Sequence, residues 1–169
     1  MGAGVSMPAS AFRPLDVRDM PRSAKACSVE KIADHARPGS QVFVRAAAPS
    51  LEFPIVQYLH HGIYLGSTRD NGGSEPMVAE LRRDGTIRAI PLPDFAGGRV
   101  LYVDTAERPN AGGLAEAMRA LALGKCSYNL MTSNCEHLAS LCSRGIFRSR
   151  QVSPSTLAEG FCVPCRVSR

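Results

Sequence analysis

Gln57-Tyr58-Leu59-His60-His61-Gly62-Ile63-Tyr64-Leu65-Gly66 is the stretch on which the fold turns. Its β-branched and aromatic content suits a buried strand over 56–65. Successive side chains of a strand point to opposite faces, so only one of the adjacent histidines His60 and His61 can meet a group packed on a given side. The complementary stretch is Tyr128-Asn129-Leu130-Met131-Thr132-Ser133-Asn134-Cys135-Glu136-His137-Leu138. Here a helix is expected to begin: Ser133 or Asn134 can cap it and Glu136 falls in the first turn. Leu138, Leu141 and Cys142 then give an apolar face before Gly145. Cys135 is thereby placed at a helix N-terminus.

Outward from these two stretches, the pattern predicts a sheet. Residues 41–45 form a first strand after the turn signal Pro38-Gly39, and 46–54 a loop. A polar turn is expected over 66–76 and a partner strand over 77–81. A hairpin turn at Arg83-Asp84-Gly85 leads to a strand over 86–92. Residues 93–98 read as loop and 100–103 as a further short strand. Leu114, Ala117, Met118 and Leu121 recur at three- and four-residue steps, the stripe of an amphipathic helix that ends at Gly124. Residues 1–28 lack an apolar period and read as a flexible arm. Residues 153–169 form a basic tail, with a short helix expected near 154–160. The fold class is therefore α+β, an antiparallel sheet packed against helices, in one domain over 29–152.

Composition narrows the classes open to this chain. With 44 % hydrophobic residues, 6 % aromatic residues and no Trp, the core must rest on Leu, Val, Ile and Ala. The formal charge of +5 favours anionic partners in general. The arginines are spread along the chain, with mild clusters at Arg82-Arg83 and at Arg144, Arg148 and Arg150, and no interleaved aromatics to stack bases. Nucleic acid is thus not an expected partner. No apolar run approaches the length of a membrane span. Met1-Gly2-Ala3-Gly4-Val5-Ser6 fits the loose pattern for myristoylation of Gly2. The expected setting is cytoplasmic, with the basic surface available for peripheral membrane contact.

The six cysteines show no secretory context that would favour disulfides. Cys162 and Cys165 have the spacing of a redox pair or of half a zinc site, but Cys27, Cys126 and Cys142 do not supply a second half. The reading favoured is two incidental tail thiols, with no metal and no cofactor. Cys135 differs from the rest because amides and dipole at a helix start favour the thiolate, the nucleophilic form. A thiolate of this kind needs an imidazole opposite it, which His60 or His61 can provide. A third group normally orients the ring, and Glu80 on the next strand is the acidic candidate.

Taken together, His60-His61-Gly62-Ile63-Tyr64-Leu65-Gly66 and Tyr128-Asn129-Leu130 leading into Asn134-Cys135-Glu136-His137 resemble the two signature blocks of the lecithin retinol acyltransferase-like family. The resemblance covers about 38–151. It implies a circularly permuted papain-like fold related to NlpC-type peptidases, and acyl transfer through a thioester, with phospholipid acyl chains as donor in the animal members. By position, Cys135 matches the nucleophile and His60 the first His, standing two places before Gly62. His61 ranks second, and Asn134 is a secondary candidate. The family's second His aligns with Glu80, a departure from the pattern. Glu136 and His137 are read as packing or capping residues. A cysteine peptidase or amidase of the wider group, and a binding module that keeps the fold without turnover, are the competing readings.

Overall fold

The computed structural model describes residues 20–48, 56–70, 73–105, 111–130 and 132–151. Gly2, the expected tail helix, Cys162 and Cys165 lie outside the described residues.

Six strands form one sheet in the order β1-β6-β2-β3-β4-β5, every neighbouring pair antiparallel. They are β1 (Ala24–Cys27), β2 (Gln41–Ala48), β3 (Val56–Asp70), β4 (Gly73–Leu81), β5 (Ile87–Pro91) and β6 (Leu101–Asp104). Among the described residues four α-helices accompany them: α1 (Ile32–His35), α2 (Leu92–Ala96), α3 (Gly113–Leu123) and α4 (Cys135–Arg144). The expected α+β class with an antiparallel sheet is what forms. Among the described residues no helix is long and apolar enough to cross a membrane.

The sheet is covered on both faces, and strand alternation divides its side chains between two cores. On one face Val42, Val44, Tyr64 and Val78 pack with Leu92 and Phe95 of α2 and Ile32 of α1. On the other, Ile63, Ala79, Leu81 and Ile87 pack with Ala117 and Ala120 of α3 and with Cys135, Leu138 and Cys142 of α4. This double burial explains why Val42, Phe43 and Val44 are all fully buried in succession.

Several elements differ from the sequence reading. The polar turn expected over 66–76 is mostly strand, because β3 continues to Asp70 and β4 starts at Gly73. A bulge between Tyr64 and Gly66 shifts the register, and Gly66 takes a φ of 95° there, a conformation that glycine adopts without strain. Ala46, Ala47 and Ala48 extend β2 into the expected loop by pairing with Tyr58, Gln57 and Val56. The arm expected over 1–28 already contains β1, whose residues are held mainly by pairing with β6, with Cys27 alone packing against the core. The loop expected over 93–98 is instead α2 through Ala96, with Pro93 near its start and Gly97 in the left-handed conformation at its end. Leu92, Phe95 and Ala96 bury its inner side.

In α3 the stripe is rotated from the expected one. The buried positions are Gly113, Ala117 and Ala120, while Met118 is 54 % exposed. Small side chains win because α3 runs close to α4: a Cβ at Gly113 would lie 2.6 Å from the Cys142 carbonyl oxygen. Helix α4 is buried nearly all round, polar residues included, rather than along one apolar face.

Close packing against α2 sets one requirement on β3. A Cβ on Gly62 would stand 2.4 Å from Val78 Cγ1 and 3.0 Å from Phe95 Cε2. Gly62→Val is therefore expected to push α2 off the sheet and to lower stability by about 1–3 kcal/mol, the ordinary cost of overpacking. Urea unfolding checks it, and an unchanged midpoint would refute the close approach.

Candidate active site

The site is built where the β3–β4 ladder stops. That ladder begins at the Gly62↔Glu80 pair, so His60 lies beyond it with no β4 residue beside it. Parity along β3 and β4 puts His60 and Glu80 on the α2 face. Cys135 comes from the α4 face. With no strand between them at this end, ring and sulfur meet.

His60 Nε2 stands 2.8 Å from Glu80 Oε2, and the Cys135 side chain is near enough to the ring to help raise its pKa. With Nε2 donating to the carboxylate, Nδ1 is the nitrogen left for the sulfur. The Phe95 ring lies against the imidazole with centroids 5.2 Å apart, and the Tyr58 ring meets it edge-on at 6.4 Å. Burial alone would make the imidazolium harder to form, but the hydrogen bonds and charges of Cys135 and Glu80 raise the His60 pKa to about 9.

Glu80 is 6 % exposed. Burial opposes its charge, yet hydrogen bonds from His60 and Arg88 and their positive charge hold its carboxyl below the usual range. Arg88 takes the second oxygen, Nε and one terminal nitrogen each 2.8 Å from Oε1. The carboxylate is thus shared between ring and guanidinium.

The start of α4 is fixed by Asn134. Its side-chain oxygen accepts from the Glu136 and His137 amides at 2.9 and 3.1 Å. The His137 Nδ1 accepts from the Asn134 amide at 3.3 Å, a reciprocal capping pair with His in the place usual for Glu or Gln. Asn134 therefore positions the helix, and the cap does not take the amide of Cys135. The Cys135 sulfur lies 3.8 Å from the Leu59 carbonyl oxygen, and the residue is 4 % exposed.

His61, the second-ranked histidine, faces away from His60. It is 1 % exposed, its Nδ1 is 2.7 Å from Gln41 Nε2, and its ring lies on Phe43. Burial drives its pKa down to about 4, so the ring is neutral near pH 7.

Two positioning roles are not readable in the sequence, that of Glu136, read there as a packing or capping residue, and that of Gln151. Glu136, buried in the first turn of α4, accepts from Ser149 Oγ at 2.6 Å and from the Arg150 and Gln151 amides at 2.9 and 3.1 Å. Gln151 in turn holds both backbone groups of Leu59, accepting from its N–H at 2.8 Å and donating to its carbonyl at 3.0 Å. It thereby satisfies the strand edge that β4 does not cover, directly before His60. The Asn-Cys-Glu-His order places Glu136 on the helix, but nothing local names partners thirteen to fifteen residues on.

In front of His60 opens a cleft of about 350 Å³, lined by Tyr58, His60, Glu80, Phe95, Tyr128 and several arginines. Cys135 is not on its wall; burial, and after it the nearby Cys135, push the Tyr128 phenol up to about 12.

The protonation of His60 has a pH signature. Above about pH 9 the imidazolium is lost, and with it the proton that a leaving group would need. Stability drawn from the raised pKa runs the same way: it is complete below the unfolded value of 6.5 and disappears as pH rises through about 9. Glu80→Gln removes one of the groups that raise the pKa, so the alkaline limb of a pH–rate profile is expected to move to lower pH. A limb that stays in place would show that Glu80 does not set the charge of the ring.

Among known proteins, the family model described as lecithin retinol acyltransferase matches residues 34–148. No curated protein and no solved structure matches the chain.

Proposed function

The chain belongs to the lecithin retinol acyltransferase family, and from that premise we propose that it is a cysteine-dependent acyltransferase or acyl hydrolase of the permuted papain-like type. Cys135 is the nucleophile, His60 its acid and base, and Glu80 the group that orients the ring. The observation that carries this reading is the His60 imidazole hydrogen-bonded to the Glu80 carboxylate, with the Cys135 side chain near enough to help raise its pKa.

In the first half-reaction the Cys135 thiolate attacks the carbonyl carbon of an ester, such as a phospholipid acyl ester. The carbonyl electrons move onto oxygen, and the Cys135 N–H at the head of α4 is placed to donate to that oxyanion. On collapse the C–O bond breaks, and His60 Nδ1 gives its proton to the departing alcohol. The acyl group is then a thioester on Sγ. In the second half-reaction His60 takes a proton from water, an alcohol or an amine as it attacks the thioester, and the thiolate leaves.

Glu80 replaces the family's second histidine in this scheme. The Arg88 guanidinium compensates its extra negative charge, so a carboxylate can serve where a neutral ring would otherwise stand.

The test is to mix the protein with a phosphatidylcholine and, separately, with small peptides and amides, quench in acid and measure the mass of the Cys135 peptide. An added acyl chain from the lipid supports the proposal. Turnover of the peptide alone would move the activity to a peptidase or amidase.

A further inference from the structure

The cleft before His60 carries a charge pattern that the acyl-transfer scheme does not use. Arg82, Arg83, Arg88 and Arg99 line it, against the carboxylates of Glu80 and Asp94. Two of the four guanidinium groups are committed. Arg88 is bound to Glu80, and Arg99 donates to the Phe95 and Ala96 carbonyl oxygens at the end of α2. Arg82 stands 3.9 Å from Asp84, an exposed pair of little strength.

Arg83 differs from all of these. Its guanidinium lies 4.9 Å above the Tyr58 ring and near enough to the Tyr128 phenol to favour its ionisation. Tyr58 is the ring that meets His60 edge-on, so Arg83 is held on the same aromatic shelf as the imidazole. A guanidinium has five N–H donors in a planar fork suited to carboxylate or phosphate. Neither aromatic partner neutralises its charge, and no carboxylate pairs with it among the described residues.

We propose that Arg83, with Arg82 beside it, forms an anion-binding subsite of the His60 cleft, and that the molecule presented to Cys135 carries a phosphate or carboxylate group. This rests on the acyl-transfer reading and adds to it a specificity-determining residue, the guanidinium that selects acyl donors by their anionic group. The Tyr58 ring holds the guanidinium, and the anion takes its free donors.

The test uses two small alkylating agents of nearly equal size, iodoacetate and iodoacetamide. Each transfers its methylene carbon to the Cys135 sulfur and releases iodide, so no acyl transfer is needed. Rates are followed by mass on the Cys135 peptide at low salt, and the iodoacetate-to-iodoacetamide ratio is compared between proteins. Because His60 also attracts the anion, the difference made by Arg83 is the quantity of interest. Arg83→Met is expected to lower the ratio by about three- to tenfold, and Arg83→Lys to restore part of it. Arg119→Met, which removes the same charge from the exposed Arg119–Glu116 pair outside the cleft, is expected to leave the ratio unchanged. An equal fall in Arg119→Met, or no fall in Arg83→Met, overturns the proposal.

A second arm separates the sources of the anion. An uncleavable ether-linked dihexyl glycerophosphate and inorganic phosphate are each tested for slowing of iodoacetate labelling in wild type and in Arg83→Met. Arg83-dependent protection by the ether lipid at concentrations where phosphate gives none supports a lipid-borne group. Equal protection by both supports a subsite for free or small anions. Protection by neither overturns the proposal. An Arg83-dependent ratio in a protein that never forms a Cys135 acyl adduct would leave this subsite standing and remove the acyl-transfer reading instead.

Discussion

Cys135→Ala is expected to abolish acyl release from phosphatidylcholine, with kcat/KM falling by about 10⁴-fold or more. The size follows from the role assigned to the sulfur: without it no thioester forms, and water would have to attack the ester directly in the shape of the cleft alone. The fold is expected to survive. The sulfur's hydrogen bond to the Leu59 carbonyl oxygen is long, 3.8 Å, and the methyl of alanine keeps part of its packing, while the start of α4 is fixed by Asn134 and His137. Initial rates of fatty acid release, read beside a thermal melt, check both halves. A folded variant that keeps more than about one part in a hundred of the wild-type rate is incompatible with covalent catalysis at this position.

His60→Ala follows, with a loss of about 10²- to 10⁴-fold, the usual contribution of a positioned acid–base group. Two losses combine here. The sulfur has no imidazolium beside it, and the leaving alcohol has no proton donor. The variant also leaves Glu80 buried with Arg88 as its remaining partner, so a modest fall in melting temperature should accompany the loss of rate. Iodoacetamide separates the effects: if the ring sustains the thiolate, Cys135 is alkylated more slowly in His60→Ala near neutral pH, whatever the substrate. Unchanged labelling would mean that the sulfur ionises without the ring. If neither this variant nor Cys135→Ala altered a biological effect of the protein, a non-catalytic binding module would replace the enzyme.

What the sequence discloses about this site is mainly local. The head of α4 is legible because capping is a matter of a few adjacent residues: Asn134 before Cys135 states where the helix starts. Strand parity states that His60 and His61 part company, and the family's spacing favours His60 as the one that meets Cys135. What stays hidden is set by distant partners. Leu92 looks like the end of a strand and Phe95 like loop between Pro93 and two glycines, until the sheet face of Val42, Val44 and Val78 is there to receive both. Met118 fits the helical stripe as well as Ala120 does, and only the proximity of α4 decides for the smaller side chain. Residues 24–27 carry no apolar period because pairing with β6 is what orders them. The arginines at 82 and 83 read as solvated surface in one dimension, and Arg83 acquires meaning only where the chain folds it onto the ring of Tyr58.

The latch of residues 149–151 onto Glu136 bears on how this protein can be trimmed. The family match closes at 148, yet the donors that satisfy Glu136 and the side chain that holds Leu59 come immediately afterwards. A recombinant fragment cut at the homology border would strand an ionised carboxyl group in the interior and unpin the segment leading to His60. The working unit therefore outruns its evolutionary signature, and any minimal version should be carried through Gln151.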